Sequence, residues 1–277
     1  MIFLLALLLA ALTAIAQPLA PVIAPRGQAM AGALVAAPGD PSSLLFNPAG
    51  LASLEGMGSD MSLGNTTGDG TDRLLAAFAN SSSEEGSRMG TGVYVDGQTR
   101  PGATKYVVPY VAIMYQPMSR LAVGATVRMI RSYPRADSLD GKWSNAIDIG
   151  MLTPGKNLNF GARIERAFGG ASVVPQTFQW GIAARSDNRR MTLSYQWDGA
   201  LLKDVAYRYE ASRFGAQYAA GKLISVSGGY IWSDIHRITF GGAFGQIEGG
   251  SLIQIGWSLP TEGKAPTEWS VGYSYRM

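Results

Sequence analysis

The sequence closes on Trp269-Ser270-Val271-Gly272-Tyr273-Ser274-Tyr275-Arg276-Met277, and the reading of this stretch decides the fold. Trp269, Val271, Tyr273, Tyr275 and Met277 alternate with Ser270, Gly272, Ser274 and Arg276. Successive side chains of a β-strand point to opposite faces of the sheet, so this strand has one greasy face and one wet face.

Working back from this strand, six segments alternate as cleanly: residues 121–129, 158–165, 178–185, 191–198, 224–233 (with Ile231 out of phase) and 253–258. Less regular candidates occupy 57–65, 73–80, 88–96, 105–115, 143–152, 204–219 and 238–247. With the terminal strand the total is about fourteen, an allowed even number for a transmembrane antiparallel β-barrel. The phase slips between Tyr207 and Tyr218, which predicts a bulge near Ala211 to Arg213. Connections at 116–120, 153–157, 186–189 and 220–222 are short, and those at 132–142, 167–176 and 260–268 are longer, as expected for periplasmic and extracellular ends. The long 80–87 connection and the short one at 233–237 fit that scheme poorly. Trp143, Trp180, Trp197, Trp232, Trp257 and Trp269 fall near strand ends, where an interfacial aromatic girdle would place them. A soluble β-sandwich or solenoid is the competing fold, and its outward face should be polar rather than Leu, Ile, Phe and Trp.

Composition agrees with a barrel wall. Hydrophobic residues make up 47% of the chain, yet beyond the N-terminus they form no run long enough for a membrane-spanning helix. The 35 glycines sit inside strands as well as in turns, where they allow curvature and leave interior room. Residues 1–16 form an apolar run ending in Ala14-Ile15-Ala16, a secretory signal with cleavage expected before Gln17; a retained anchor is the alternative. The absence of cysteine excludes a disulfide framework, a thiolate metal site and a lipid-anchored cysteine. A net charge of +3 with scattered arginines makes no case for nucleic-acid binding.

Residues 17–56 precede the barrel of residues 57–277 and show no period of two. Asp40-Pro41-Ser42-Ser43 reads as a helix N-cap with proline in the first turn, and Asn47-Pro48-Ala49-Gly50 ends that helix and starts another turn or helix. The pattern Arg26-Gly27-x-Ala29-Met30-Ala31-Gly32-Ala33, then Asp40-x-Ser42-x-Leu44, then Asn47-Pro48-Ala49-Gly50-Leu51, resembles two related groups. These are the FadL-type hydrophobic-solute channels and the PorV/PorQ family of outer-membrane barrels. The resemblance implies a short helical hatch in the lumen of a fourteen-stranded barrel, carried here by Arg26, Gly32, Asp40, Asn47, Pro48, Ala49 and Gly50. It also implies an outer-membrane location. The final Ser270-x-Gly272-x-x-Tyr275-x-Met277 resembles a barrel-assembly signal, which would make the assembly machinery and outer-membrane lipid partners of the chain.

Assigning the polar faces inward places Arg128, Asp148, Arg163, Glu165, Arg185, Asp198, Arg208, Glu210, Arg213 and Arg276 in the lumen. Both signs are present, so these groups should pair with one another and with Arg26 and Asp40. The 105–115 segment is apolar on both faces, and Pro109 cannot donate a ladder hydrogen bond, which predicts a kink or lateral gap in the wall, or else a rim bulge. A catalytic site is not expected: the one histidine, His236, lies in a short loop, and no metal spacing or phosphate loop occurs. No cofactor is implied. Two functions remain open: a barrel passing small hydrophobic or amphipathic molecules, and a non-enzymatic scaffold for a secretion or surface-attachment system.

Overall fold

In the computed structural model the described residues are 24–67, 71–84, 87–99, 105–133, 142–169, 176–201, 210–247, 250–262 and 265–277. The expected signal segment, residues 1–16, lies outside them. Fourteen strands follow one another: β1 (Gly56–Thr67), β2 (Thr71–Glu84), β3 (Ser87–Thr99), β4 (Lys105–Met118), β5 (Leu121–Tyr133), β6 (Lys142–Thr153), β7 (Leu158–Phe168), β8 (Thr177–Arg185), β9 (Met191–Ala200), β10 (Glu210–Ala219), β11 (Ile224–Trp232), β12 (Arg237–Gly245), β13 (Gly250–Pro260) and β14 (Thr267–Arg276). Each pairs antiparallel with its neighbours in sequence, and β14 returns to β1 in register from Gly58↔Arg276 to Thr67↔Thr267, closing a barrel. The start of β1 and the end of β14 mark the near rim; the opposite rim is the far one.

The wall is greasy outside. Met61, Leu63, Ile113 and Ile253 point outward and are more than half exposed, while their neighbours Asp60, Ser62, Ala112 and Gln254 point inward and are buried. A soluble sheet would put its polar face outward, so this arrangement is that of strands crossing a bilayer. No helix among the described residues is long and apolar enough to cross a membrane.

Three details differ from the sequence reading. β2 runs to Glu84 and β3 begins at Ser87, with Glu84 opposite Ser87 at the near rim, so the serines of the expected long 80–87 connection continue the strand. The β9–β10 and β10–β11 registers are continuous through Ala211 to Arg213, so no bulge lies there. Register shifts occur instead between Tyr115 and Met118 on β4 and between Ile147 and Ile149 on β6. All six tryptophans lie in the far-rim halves of their strands, with Trp180 opposite Trp197 and Trp257 opposite Trp269.

Residues 24–55 lie inside the barrel. They form α1 (Pro25–Ala29), α2 (Ser43–Phe46) and a 3-10 helix, Pro48–Ser53. α1 packs against β11–β14, whereas the 3-10 helix packs against β2–β6. Sequence periodicity gave no sign of α1, which is too short to show one. Proline opens it, and Ala31 (φ 58) with Gly32 (φ 75) reverses the chain behind it, Gly32 N donating to Gly27 O at 2.7 Å and Ala31 N to Gln28 O at 3.1 Å. α2 lacks the expected side-chain cap: Asp40 turns its carboxylate to Arg26 and Ser42 instead. Asn47 does cap the 3-10 helix, its Oδ1 accepting from Ala49 N at 3.0 Å.

Inward glycines make room for this backbone. Gly124 stands opposite Gly150, Gly161 opposite Gly181, Gly215 opposite Gly229 and Gly241 opposite Gly256. A Cβ on Gly124 would lie 2.6 Å from Ala49 N, on Gly215 2.7 Å from Met30 O, and on Gly256 2.6 Å from Pro25 O. Each distance is well inside van der Waals contact, so any larger residue would push the segment out of its seat.

Candidate functional site

The inner surface of β2–β6 carries an apolar patch beside its charged positions. Leu75, Tyr94, Val108, Tyr110, Met114 and Ile130 point into the lumen and form one buried cluster with Leu44, Leu45 and Leu51 of the N-terminal segment. The rings of Tyr94 and Tyr110 meet edge to face, with centroids 4.7 Å apart and planes at 70°. A water-filled barrel keeps a polar lumen, so a sector lined this way favours apolar guests.

Beside that sector, on β5, β6 and β7, Arg128 donates to Asp148 at 2.6 Å and to Glu165 at 2.8 Å, and Arg163 donates to Asp148 at 2.5 Å. The Arg166 backbone N–H adds a third bond to Asp148 at 2.8 Å. Arg163 also donates to the Leu45 carbonyl, so two arginines and two carboxylates clamp the end of α2. A second clamp lies on β9 and β10. There Arg213 donates to Asp198 at 2.5 Å and to the Ala31 carbonyl at 3.0 Å, while Gln196 bridges Asp198 and Val35 N. Asn47 is fully buried, and its Nδ2 donates to Val35 O at 2.8 Å and to Met151 O at 2.9 Å, tying the segment to itself and to β6.

Of the residues placed in the lumen from sequence, Arg128, Asp148, Arg163, Glu165, Arg185, Asp198, Arg213 and Arg276 lie on inward-facing positions. Glu210 does not: it is exposed, on the opposite face from Ala211 and Arg213. The error follows from the assumed bulge, since without it residues 210 and 213 have opposite parity. Arg208 lies outside the described residues. The sequence reading missed the inward Asp60, Arg73, Asp96, Arg237 and Glu268, where Arg73 pairs with Asp96 at 3.7 Å and Arg237 with Glu268 at 3.2 Å. The parity of 57–65 and 88–96 could have found Asp60 and Asp96. Both Asp60 carboxylate oxygens and the Tyr94 hydroxyl are buried with no hydrogen-bond partner among the described residues.

Within the N-terminal segment Arg26 donates to Asp40 at 3.3 Å, to Ala37 O at 2.9 Å and to Gln217 Oε1 at 3.3 Å. Burial pushes the Asp40 carboxyl up, but Arg26, Arg276 and the Ser42 hydroxyl outweigh it and hold the group below its usual range. Gly32 and Gly50 sit against Arg213 and Pro38 respectively, and Pro48 and Ala49 face Gly124. Pro109 lies on β4 within an unbroken β3–β4 register; toward β5, pairing skips Val108 and Pro109 and resumes in phase at Tyr110↔Arg128. His236 bonds the Tyr230 hydroxyl at 2.7 Å in the far-rim loop, and no cluster of metal-ligating side chains occurs among the described residues.

No protein-family model matches the sequence, and comparison with curated proteins gives no match. Solved structures do match. The Ralstonia pickettii toluene transporter TbuX aligns with a TM-score of 0.66 at 14% identity, over 93% of this chain and 99% of that one. The Pseudomonas putida toluene transporter TodX aligns with a TM-score of 0.65 at 13% identity, over 91% of this chain and 97% of that one. A Pseudomonas aeruginosa FadL homologue aligns with a TM-score of 0.67 at 11% identity, over 92% and 98%. This chain therefore has the fold of the FadL-type toluene transporters, a closed antiparallel barrel of fourteen strands.

Proposed function

We propose that this protein is an outer-membrane channel that passes small hydrophobic or amphipathic molecules, with residues 24–55 acting as its hatch. The apolar patch inside β2–β6 carries this reading, because Leu75, Tyr94, Val108, Tyr110 and Met114, which now pack against Leu44 and Leu51, offer an apolar guest a wall that a polar pore lacks. The fold shared with two toluene transporters supports it. An apolar guest can take the place of Leu44 and Leu51 against that wall, exchanging one set of apolar contacts for another at little net cost. Val108 and Pro109, the mid-strand positions on β4 that lack β5 partners, mark where a lateral exit to the lipid would open.

The test is uptake of radiolabelled toluene by cells with and without the protein. A several-fold faster uptake with the protein, raised further when residues 24–52 are deleted, is the expected result. Equal uptake in both cells overturns the channel, and equal uptake with stoichiometric copurification of a secretion component establishes the scaffold instead.

A further inference from the structure

We propose that the near-rim end of the lumen is a binding site for a single oxyanion group, a phosphate or a carboxylate. A cavity of about 240 Å³ opens there between the N-terminal segment and β8–β14, and Arg26, Arg185, Arg189 and Arg276 all line it. Arg26 is paired with Asp40. Arg185 donates only to the Pro38 carbonyl, at 2.8 Å, and Arg185, Arg189 and Arg276 form no ion pair among the described residues.

Charge balance separates this cluster from the others in the barrel. Arg128 and Arg163 meet Asp148 and Glu165, two against two; Arg213 meets Asp198, Arg237 meets Glu268 and Arg73 meets Asp96. Among the described residues the cavity is lined by four guanidiniums and by no carboxylate; Asp40 pairs with Arg26, and Asp40 and Asp60 lie within electrostatic reach of Arg276. Arg185 and Arg276, part-buried and without an ion pair among the described residues, are costly unless an anion joins them, and the planar guanidinium fork matches the oxygen geometry of phosphate and carboxylate. The hydroxyls of Thr192, Ser225 and Ser227 border the same space and supply further donors. Leu252 and Ile247 form an apolar edge beside them, so an anion carrying an alkyl tail fits as well as a free one.

Titration calorimetry on the full-length protein in an uncharged detergent tests the site, with inorganic phosphate, acetate and octyl phosphate as probes. One saturable site is expected, weakened about tenfold or more by Arg185→Gln and by Arg276→Gln, and unchanged by Arg237→Gln at the far rim. Equal affinity for phosphate and octyl phosphate identifies a free anion as the ligand, whereas tighter octyl phosphate identifies the headgroup of an amphiphile. Arg189→Gln, on an exposed turn remote from strand pairing, serves as the deciding variant where heat-modifiable gel migration shows that Arg185→Gln or Arg276→Gln fails to fold. Absence of saturable binding by every probe, or affinity unchanged in all folded variants of the cluster, overturns the proposal.

Discussion

On β2–β6 the inner wall offers Leu75, Tyr94, Tyr110 and Met114 to Leu44 and Leu51, whereas on β11–β14 it offers Gly229, Gly241, Gly256 and Gly272 to α1. The first contact is side chain on side chain and non-directional. The second is a close approach at the glycines, fixed by side-chain hydrogen bonds: Thr239 Oγ1 to Ala29 O at 2.9 Å and Ser270 Oγ to Gln28 Oε1 at 2.5 Å, with Arg213 of the adjoining β10 donating to Ala31 O at 3.0 Å. Parting Leu44 and Leu51 from the first surface around an apolar molecule breaks only apolar contacts, so long as the bonds at the margins of that surface, Arg163 to Leu45 O, Asn47 to Met151 O and Arg88 to Ala52 O, are kept. Parting the second strands buried donors and acceptors at about 1–3 kcal/mol each. The difference teaches how one plug can be anchored and movable at once, with α1 as the fixed end and the α2 to 3-10 region as the end that yields.

The largest expected effect comes from breaking the clamp beside the yielding end. Asp148→Ala removes the acceptor shared by Arg128, Arg163 and the Arg166 N–H, leaving two buried guanidiniums with Glu165 alone. Urea unfolding of the refolded barrel should show a loss of about 3–5 kcal/mol. At the fixed end, Asp198→Ala leaves Arg213 its bond to Ala31 and should cost less, about 1.5–3 kcal/mol. A larger loss at Asp198 than at Asp148 would reverse the assignment of the two clamps.

Asn47→Ala sharpens the contrast within the segment itself. It strands Ala49 N, Val35 O and Met151 O, so a loss of about 1–3 kcal/mol is expected, with protease cleavage appearing between residues 43 and 55 before any near α1. Cleavage near α1 first would show that the fixed end is the weaker one.

Acid probes the contact between the two ends, since Asp40 joins the α2 approach to Arg26 in α1. Its folded pKa lies below the unfolded 3.8, so its contribution is present above that value and is lost as pH falls through the lower, folded value. Thermal stability carried by Asp40 should thus be flat from pH 7 to about 5 and decline only under strong acid. Asp40→Asn should remove that part of the decline, and an unchanged acid profile would exclude the carboxylate. The smallest effect belongs to Tyr94→Phe. The hydroxyl has no partner to lose and phenylalanine keeps the edge-to-face contact with Tyr110, so stability should change by less than about 0.5 kcal/mol. A loss above 1 kcal/mol would reveal a bound water or ligand group on that hydroxyl, on the scale of about one buried hydrogen bond.

The wall was most legible where its two faces meet different surroundings. In β7, β9, β13 and β14 lipid lies outside and a polar or glycine-rich surface inside, so the alternation is clean. It fades on β2 and β4, where Leu75, Val108, Tyr110 and Met114 are apolar on the inner face as well, because that face packs against Leu44 and Leu51 rather than water. The sector most informative about function is therefore the one with the weakest strand signal. Glu210 was assigned inward because one assumed extra residue reverses every parity beyond it.

The sequence by itself determined the strand wall, its greasy outer face and the inward direction of Arg128, Asp148, Arg163 and Arg213, because a strand has period two and a bilayer rewards only one side of it. Only the tertiary structure decided which arginine meets which carboxylate. Those partners lie on different strands, and cross-strand register and barrel closure, neither of which is local, bring Arg128 to Glu165 across 37 positions and Arg213 to Ala31 across 182. The same closure gathers Arg26, Arg185, Arg189 and Arg276 around one cavity, a juxtaposition that no spacing along the chain encodes.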